Sequence, residues 1–534
     1  MKKYLIIPLF LLAYSASLLG QSLSDYSLEL SPINIPNLPG LHSFAFAQTD
    51  GKWLVIGGRK DGMHARQPFN AFPQSQNNTD IFVIDINTQE FWSSSVVELP
   101  VEISEQLQST NMNFYQEQDT LYLIGGYAYS QTASDHITFP NLVSIQVSSL
   151  IDAIINGDPI VPYFKQITDS KFAVTGGQLG KIEDTFYLVG GQRFDGRYNP
   201  MGHATYVQSY TNQIRKFTIN NSEPQITFDN YTTITDQIHL RRRDYNLIPQ
   251  IFPNGEKGYT ISSGVFQENV DLPFLYPVDI TSDGYDPITS FNQYLSNYHS
   301  AQVCLYDSLA NQMHTIFFGG MSQYYYQNGN LVQDDQVPFV NTISRLTRFE
   351  NGQLQEFQLP EEMPGLKGAS AEFIPNLNLP NYDSEIIKLG TFTQDTLLIG
   401  HILGGISSPS LNPFNVNQTN ITSAENTIFS VKLIKKMGTG AIEINGNNPY
   451  DIKVFPNPVK DQINISYTLE KLIPVNYFIA SSNGQILQQG QIAQQGVGEN
   501  IQSISLTTLN AKQPIFITFV FDHKYFVTKK VFKE

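Results

Sequence analysis

The chain has 534 residues, more than one ordinary compact domain holds, so two or three domains or a repeat array are expected. Hydrophobic residues make up 41% and aromatics 12%, with 37 glycines and 29 prolines, which excludes collagen-like, low-complexity and wholly disordered chains. Only 15% of residues are charged, and 48 acidic against 32 basic side chains give a net charge of −16 that repels phosphate backbones and anionic headgroups, so no nucleic-acid partner is expected.

In chain order, Lys2 and Lys3 precede the apolar run Tyr4 to Ala13, small residues follow, and Leu18-Leu19-Gly20-Gln21 closes the stretch. That is the order of a secretory signal, predicted at residues 1–20 and too short to span a bilayer stably. No transmembrane segment is expected once it is removed, and no cysteine follows that could carry a lipid anchor. The single cysteine, Cys304, permits no intramolecular disulfide; it lies on an apolar strand and reads as core.

Five short apolar runs then end in a glycine pair: Trp53 to Gly58, Leu121 to Gly126, Phe186 to Gly191, Ile316 to Gly320 and Ile402 to Gly405. A sixth, Tyr259 to Gly264, fills the gap in degenerate form, which makes a repeat of roughly 70 residues. A strand and a polar turn precede each run, as at Phe44-Ala45-Phe46 before Asp50-Gly51. A third strand follows after a long loop, as at Ile81 to Ile84 and Ile214 to Phe217, and often a fourth, as at Phe91-Trp92. Four-stranded antiparallel blades repeated radially make a β-propeller, predicted over residues 21–437. The sixth unit lacks a fourth strand, whereas Tyr26 to Leu30 stands as an orphan strand before the first. Pairing the two closes the ring and leaves no free edge, which gives six blades, with seven the alternative.

The glycine pairs at strand ends, together with an aromatic-rich fourth strand, resemble the kelch repeat, so the fold implied is an all-β, six-bladed kelch-type propeller. Glycine suits these positions because inner strands converge there and need close backbone approach and positive φ; no phosphate-loop signature accompanies them. Copper-radical oxidases share the kelch architecture but need a cysteine crosslinked to a tyrosine, for which Cys304 is the sole candidate, so that activity is not expected. The nine histidines show no His-Glu-x-x-His spacing, and Asp61, Asp334 and Asp335 complete no EF-hand loop. Neither metal nor cofactor is expected.

The loops after the glycine pairs are long and, with uniform strand order, emerge on one face beside the connections between blades. The candidate ligand-binding residues they carry are Arg59, Arg66, Tyr129, Arg193, Arg197, Tyr198, His203, Arg243, Tyr298 and Tyr325. Tyrosines stack on sugar rings and guanidinium forks hold carboxylates, and the same pair of residue types dominates protein interfaces. In Arg241-Arg242-Arg243-Asp244 a local salt bridge between blades is an equal reading, and His42 and His299, each before a serine, read as turn-stabilising.

After a glycine-rich linker at 438–448, residues 449–534 change to short alternating strands: Asp451 to Phe455, Asp461 to Ile465, Tyr477 to Ala480, Ile515 to Val520 and Tyr525 to Phe532. They read as a small antiparallel β-sandwich. Phe455-Pro456-Asn457-Pro458, the Asn483-Gly484 turn and the terminal Lys529-Lys530 resemble the type A sorting domain with which Bacteroidetes export proteins through the type IX (Por) secretion system. The resemblance implies a cleavable address label, the type IX machinery as partner, and a protein released or attached to the outer cell surface after crossing the periplasm. The expected function is therefore an exported propeller that binds a glycan or a surface protein through its long-loop face. The alternative is a sugar mutarotase resembling the six-bladed kelch N-acetylneuraminate epimerases, in which Arg59, Arg193 or Arg243 holds a carboxylate and Glu268 or His203 moves the proton. A purely structural surface protein is a third class.

Overall fold

A computed structural model describes residues 23, 26–436, 450 and 452–534, except 68–69, 200–204, 328–329, 391, 393, 482–484, 493–494, 510–512 and 523–524. The predicted signal at 1–20, the linker at 438–448, His203 and the Asn483-Gly484 turn lie outside the described residues.

Six four-stranded antiparallel blades follow one another. Each begins with its inner strand: Ala45–Thr49, Asn113–Glu117, Gln178–Ile182, Asn246–Ile251, Gln302–Asp307 and Glu372–Pro375. The degenerate fourth unit forms a full blade, with short outer strands at Val278–Ile280 and Tyr285–Pro287. Tyr26–Ile33 pairs along its whole length with Ile428–Lys435 as the outer strand of blade 6, so this N-terminal strand closes the ring as the sequence predicts. Tyr26 and Leu28 put their side chains into a core shared with Phe373, Val431 and Leu433.

Around the axis the blades are tied by a closed circuit of six backbone hydrogen bonds. Asn111 N–H donates to Ser43 O, Gly176 to Asn111, Asp244 to Gly176, His299 to Asp244, Ser370 to His299 and Ser43 to Ser370, at 2.8–3.2 Å. Five of these residues have φ between 51° and 66°, a left-handed turn that serine, asparagine and aspartate tolerate better than bulkier residues. The glycine pairs support the same contact between blades: Gly126 N–H reaches Val174 O of the next blade at 3.0 Å. A Cβ on Gly125 would lie 1.8 Å from that oxygen, so close approach, as the repeat implies, is what fixes glycine there.

Among the described residues two α-helices, Val101–Leu107 and Val147–Asn156, join the strands without disturbing the ring. Val147–Asn156 lays Leu150, Ile151 and Ile154 on Leu54, Ile56 and Val83 of blade 1, and Gly157 ends it at φ 74°. The terminal sandwich has one sheet of Lys453–Phe455, Gln462–Leu469 and Gly498–Ser505, and a second of Ile486–Gln491, Val475–Ser481, Gln513–Phe521 and Tyr525–Lys533. The second sheet continues onto the outer strand of blade 5 where Glu356 pairs with Phe526, and Tyr294 packs edge-on to Phe478 beside that junction.

Leu28→Ala is expected to lower propeller stability by about 2–4 kcal/mol in urea unfolding, because it empties a buried position on the closing strand. Glu29→Gln, which loosens only an exposed pair with Lys432, is expected to leave the midpoint unchanged.

Candidate functional site

The hydrogen-bonded circuit narrows the channel at its middle, where its six residues surround a gap of about 20 Å³, and a larger hollow lies at each end. On the long-loop side the hollow is a notch of about 100 Å³ whose floor includes Asn111 and Asp244 and whose walls are His64, Phe72, Tyr127, Phe194, Tyr198 and Arg243. The aromatic side chains brace one another. His64 stacks on Phe72 at 5.0 Å and meets Tyr198 edge-on at 4.9 Å, and Phe194 meets Tyr127 at 5.3 Å. Burial lowers the His64 pKa to about 4, so at neutral pH this ring presents an uncharged face.

Arg243 is the only basic residue among the described residues lining the notch apart from His64. Its Nε donates to the Tyr210 hydroxyl at 3.1 Å, its Nη1 pairs with Asp244, and the guanidinium lies 5.2 Å from the centre of the Phe266 ring. Burial works against its charge, but the Asp244 carboxylate and the Tyr210 and Tyr298 hydroxyls more than offset it, and the net shift is upward. Burial also raises the hydroxyl pKa of Tyr198 and Tyr298, so both stay protonated donors.

The remaining predicted residues divide by what holds them. Arg59, with 2% of its side chain exposed, makes a bidentate pair with Asp61 at 2.6–2.8 Å and donates to Asn77, and is a structural pin. Arg66 donates to the carbonyls of Phe414 and Asn415 and packs over Phe414, tying two loops. Arg197 Nε holds Ala71 O at 2.9 Å, beside Phe72. Arg193, 54% exposed, pairs with Asp195 away from the notch, and Tyr129 meets His136 edge-on. Tyr325 lies in the hairpin of Tyr324–Gln327 with Asn330–Gln333, outside the notch.

The arginine triplet separates into three roles. Arg241 lies 3.9 Å over Tyr210; Arg242 is buried between Phe274 and Tyr276 with Nε and Nη1 on backbone carbonyls; Arg243 pairs with its sequence neighbour Asp244 within one connection, instead of across blades, and takes a place in the notch. His42 is buried against Ser43 Oγ at 3.0 Å, in keeping with a turn-stabilising role. Phe72, Phe194, Tyr210 and Phe266 complete the site beyond the residues the sequence points to; aromatic residues inside long polar loops are the signal that marks them. Glu268, the proposed proton carrier, is exposed. Cys304 is buried, its thiol pKa raised by burial.

At the terminal domain, Asn457 links the two ends of the sorting signature. Its Oδ1 accepts from Phe532 N–H at 2.9 Å and its Nδ2 donates to Lys530 O, so the Pro456-Asn457-Pro458 turn and the Lys529-Lys530 strand form one surface.

A family model described as a secretion system C-terminal sorting domain matches residues 453–534. No curated protein matches the chain. Among solved structures it is similar to one titled "Structure of YjhT", at 11% identity and a TM-score of 0.41, over 71% of this chain and 93% of that one. The C-terminal sandwich is thus a sorting domain of the type IX system, which marks the chain for export.

Arg59→Ala is expected to destabilise the propeller by about 3 kcal/mol, since Asp61 and Asn77 lose a buried partner. Arg193→Ala, at an exposed pair, should stay within about 0.5 kcal/mol of the parent in the same urea titration.

Proposed function

We propose that this exported chain is a binding module whose long-loop face takes the acidic end of a glycan into the notch at Arg243. The observation that carries the reading is one charged guanidinium in an aromatic-walled hollow on the axis. With Nε on Tyr210 and Nη1 on Asp244, Nη2 is the donor left for a carboxylate. The notch of about 100 Å³ is small, so it takes one terminal group while the rest of a chain lies along the tyrosines and arginines of the rim. His64, uncharged at neutral pH, offers a ring face for a sugar.

Binding is favoured over turnover because the carboxylate in the notch, Asp244, is already engaged by Arg243, while Glu268 lies exposed. The propeller is the part that meets the ligand, and the sorting domain delivers it to the outside of the cell.

The test is calorimetry with N-acetylneuraminate and glucuronate against galactose. The acidic sugars should bind, and Arg243→Lys, which keeps the charge but removes the guanidinium whose Nη2 is held toward the ligand by Tyr210 and Asp244, should weaken them about tenfold or more. Equal affinity for galactose, or an unchanged Arg243→Lys, would contradict the reading. Accelerated anomer exchange by NMR would make the chain a mutarotase instead.

A further inference from the structure

Across the hydrogen-bonded circuit from the notch, the channel opens into a far larger hollow of about 630 Å³, within the range of small-ligand sites of about 300–1,000 Å³. One wall is unexpected. Between the first two strands of blade 6, residues 376–395 make a long excursion on this face, and its strand Ile386–Leu389 runs parallel to the inner strand of blade 5, with Ile386 opposite Cys304. This brings Glu385 to the wall, where its carboxylate accepts from the Tyr259 hydroxyl at 3.2 Å.

The chemistry of this hollow is the reverse of the notch. Neither lysine nor arginine is among the described residues that line it. Two carboxyl groups in its wall, Glu372 and Glu385, form no ion pair with a lysine or arginine among the described residues; Glu372 Oε1 faces His299 Nε2 at 3.4 Å. Burial raises both carboxyls, Glu385 to about 8 and Glu372 well above its usual range, and lowers His299 to about 4. Independently of the carboxyls, Ser300 lines the same hollow at 1% exposure and its Oγ has no hydrogen-bond partner. The half-buried rings of Phe46 and Phe114, 5.4 Å apart and edge to face, supply an apolar wall.

We propose that this hollow is a second ligand site, separate from the notch, for a saccharide that carries a free amine. An ammonium group placed against Glu372 at the inner end of the hollow, with Glu385 as the second acid, supplies the cation that the buried carboxyl lacks and draws it into its ionised form, the carboxyl proton passing to solvent. The sugar hydroxyls meet Ser300 and the amides of Gln178 and Gln302, and a ring face lies on Phe46 and Phe114. Anionic sugars find no basic side chain among the described residues of this hollow to pair with.

The test is calorimetry of the full chain with the disaccharide of glucosamine, its di-N-acetylated form and cellobiose. The free-amine disaccharide should bind about tenfold or more tightly than the other two, since only it carries a charge for the acids. Glu372→Gln should remove that preference with an unchanged circular dichroism spectrum, and Glu385→Gln serves if the first variant does not fold. Arg243→Lys should leave this binding unchanged, which separates it from the acidic-glycan site. No binding, equal affinity for the three disaccharides, or a preference that survives both glutamine variants would overturn the proposal.

Discussion

The structure depends on one constraint: the six segments that enter the inner strands must hold one another through their backbones. Ser43, Asn111, Gly176, Asp244, His299 and Ser370 each donate to one neighbour and accept from the other, so no blade can leave the axis without breaking two hydrogen bonds. A circuit of this kind exists only if the ring is closed, and closure falls to Tyr26–Ile33 beside Ile428–Lys435, about 400 residues apart in sequence. With one buried cysteine and no disulfide among the described residues, the propeller has the packed blade interfaces and this circuit to resist opening.

The same circuit explains why one channel offers two environments. Because the circuit narrows the channel to a gap of about 20 Å³, the residues above and below it face different hollows, and their charges differ. Above lies Arg243, kept ionised by Asp244 and Tyr210; below lie Glu372 and Glu385, raised by burial. The ring residues themselves take part in both ends: Asp244 forms part of the floor of the notch, and His299 turns its ring toward Glu372. A chain of net charge −16 thus concentrates a cation where its loops are long and withholds one where most of its turns are short.

Much of this is legible in the sequence. The glycine pairs locate the blades because their spacing reports a backbone contact that tolerates no Cβ, and the orphan strand at Tyr26 announces the closure. The Phe-Pro-Asn-Pro turn and the terminal lysines mark the sorting domain because Asn457 joins them, a contact between residues 73 positions apart. The site is less legible. Among the candidate arginines, residue type cannot separate Arg59, whose donors are taken by Asp61 and Asn77, from Arg243, which faces a hollow. The helix Val147–Asn156 is hidden because its β-branched, apolar composition reads equally as strand, and only packing on blade 1 selects the helix. The excursion at 376–395 and the docking of the sandwich on blade 5 join strands from distant repeats, which no local pattern encodes.

The measurement closest to the central claim is amide hydrogen exchange at the six circuit residues, with and without the closing strand. The intact chain should protect Ser43, Asn111, Gly176, Asp244, His299 and Ser370 as strongly as core strand amides such as Leu54 and Leu123, and removal of residues 26–33 should release all six together. Exchange of these amides at the rate of the surface loops, or their release one at a time while the blades stay protected, would contradict a ring held at its waist.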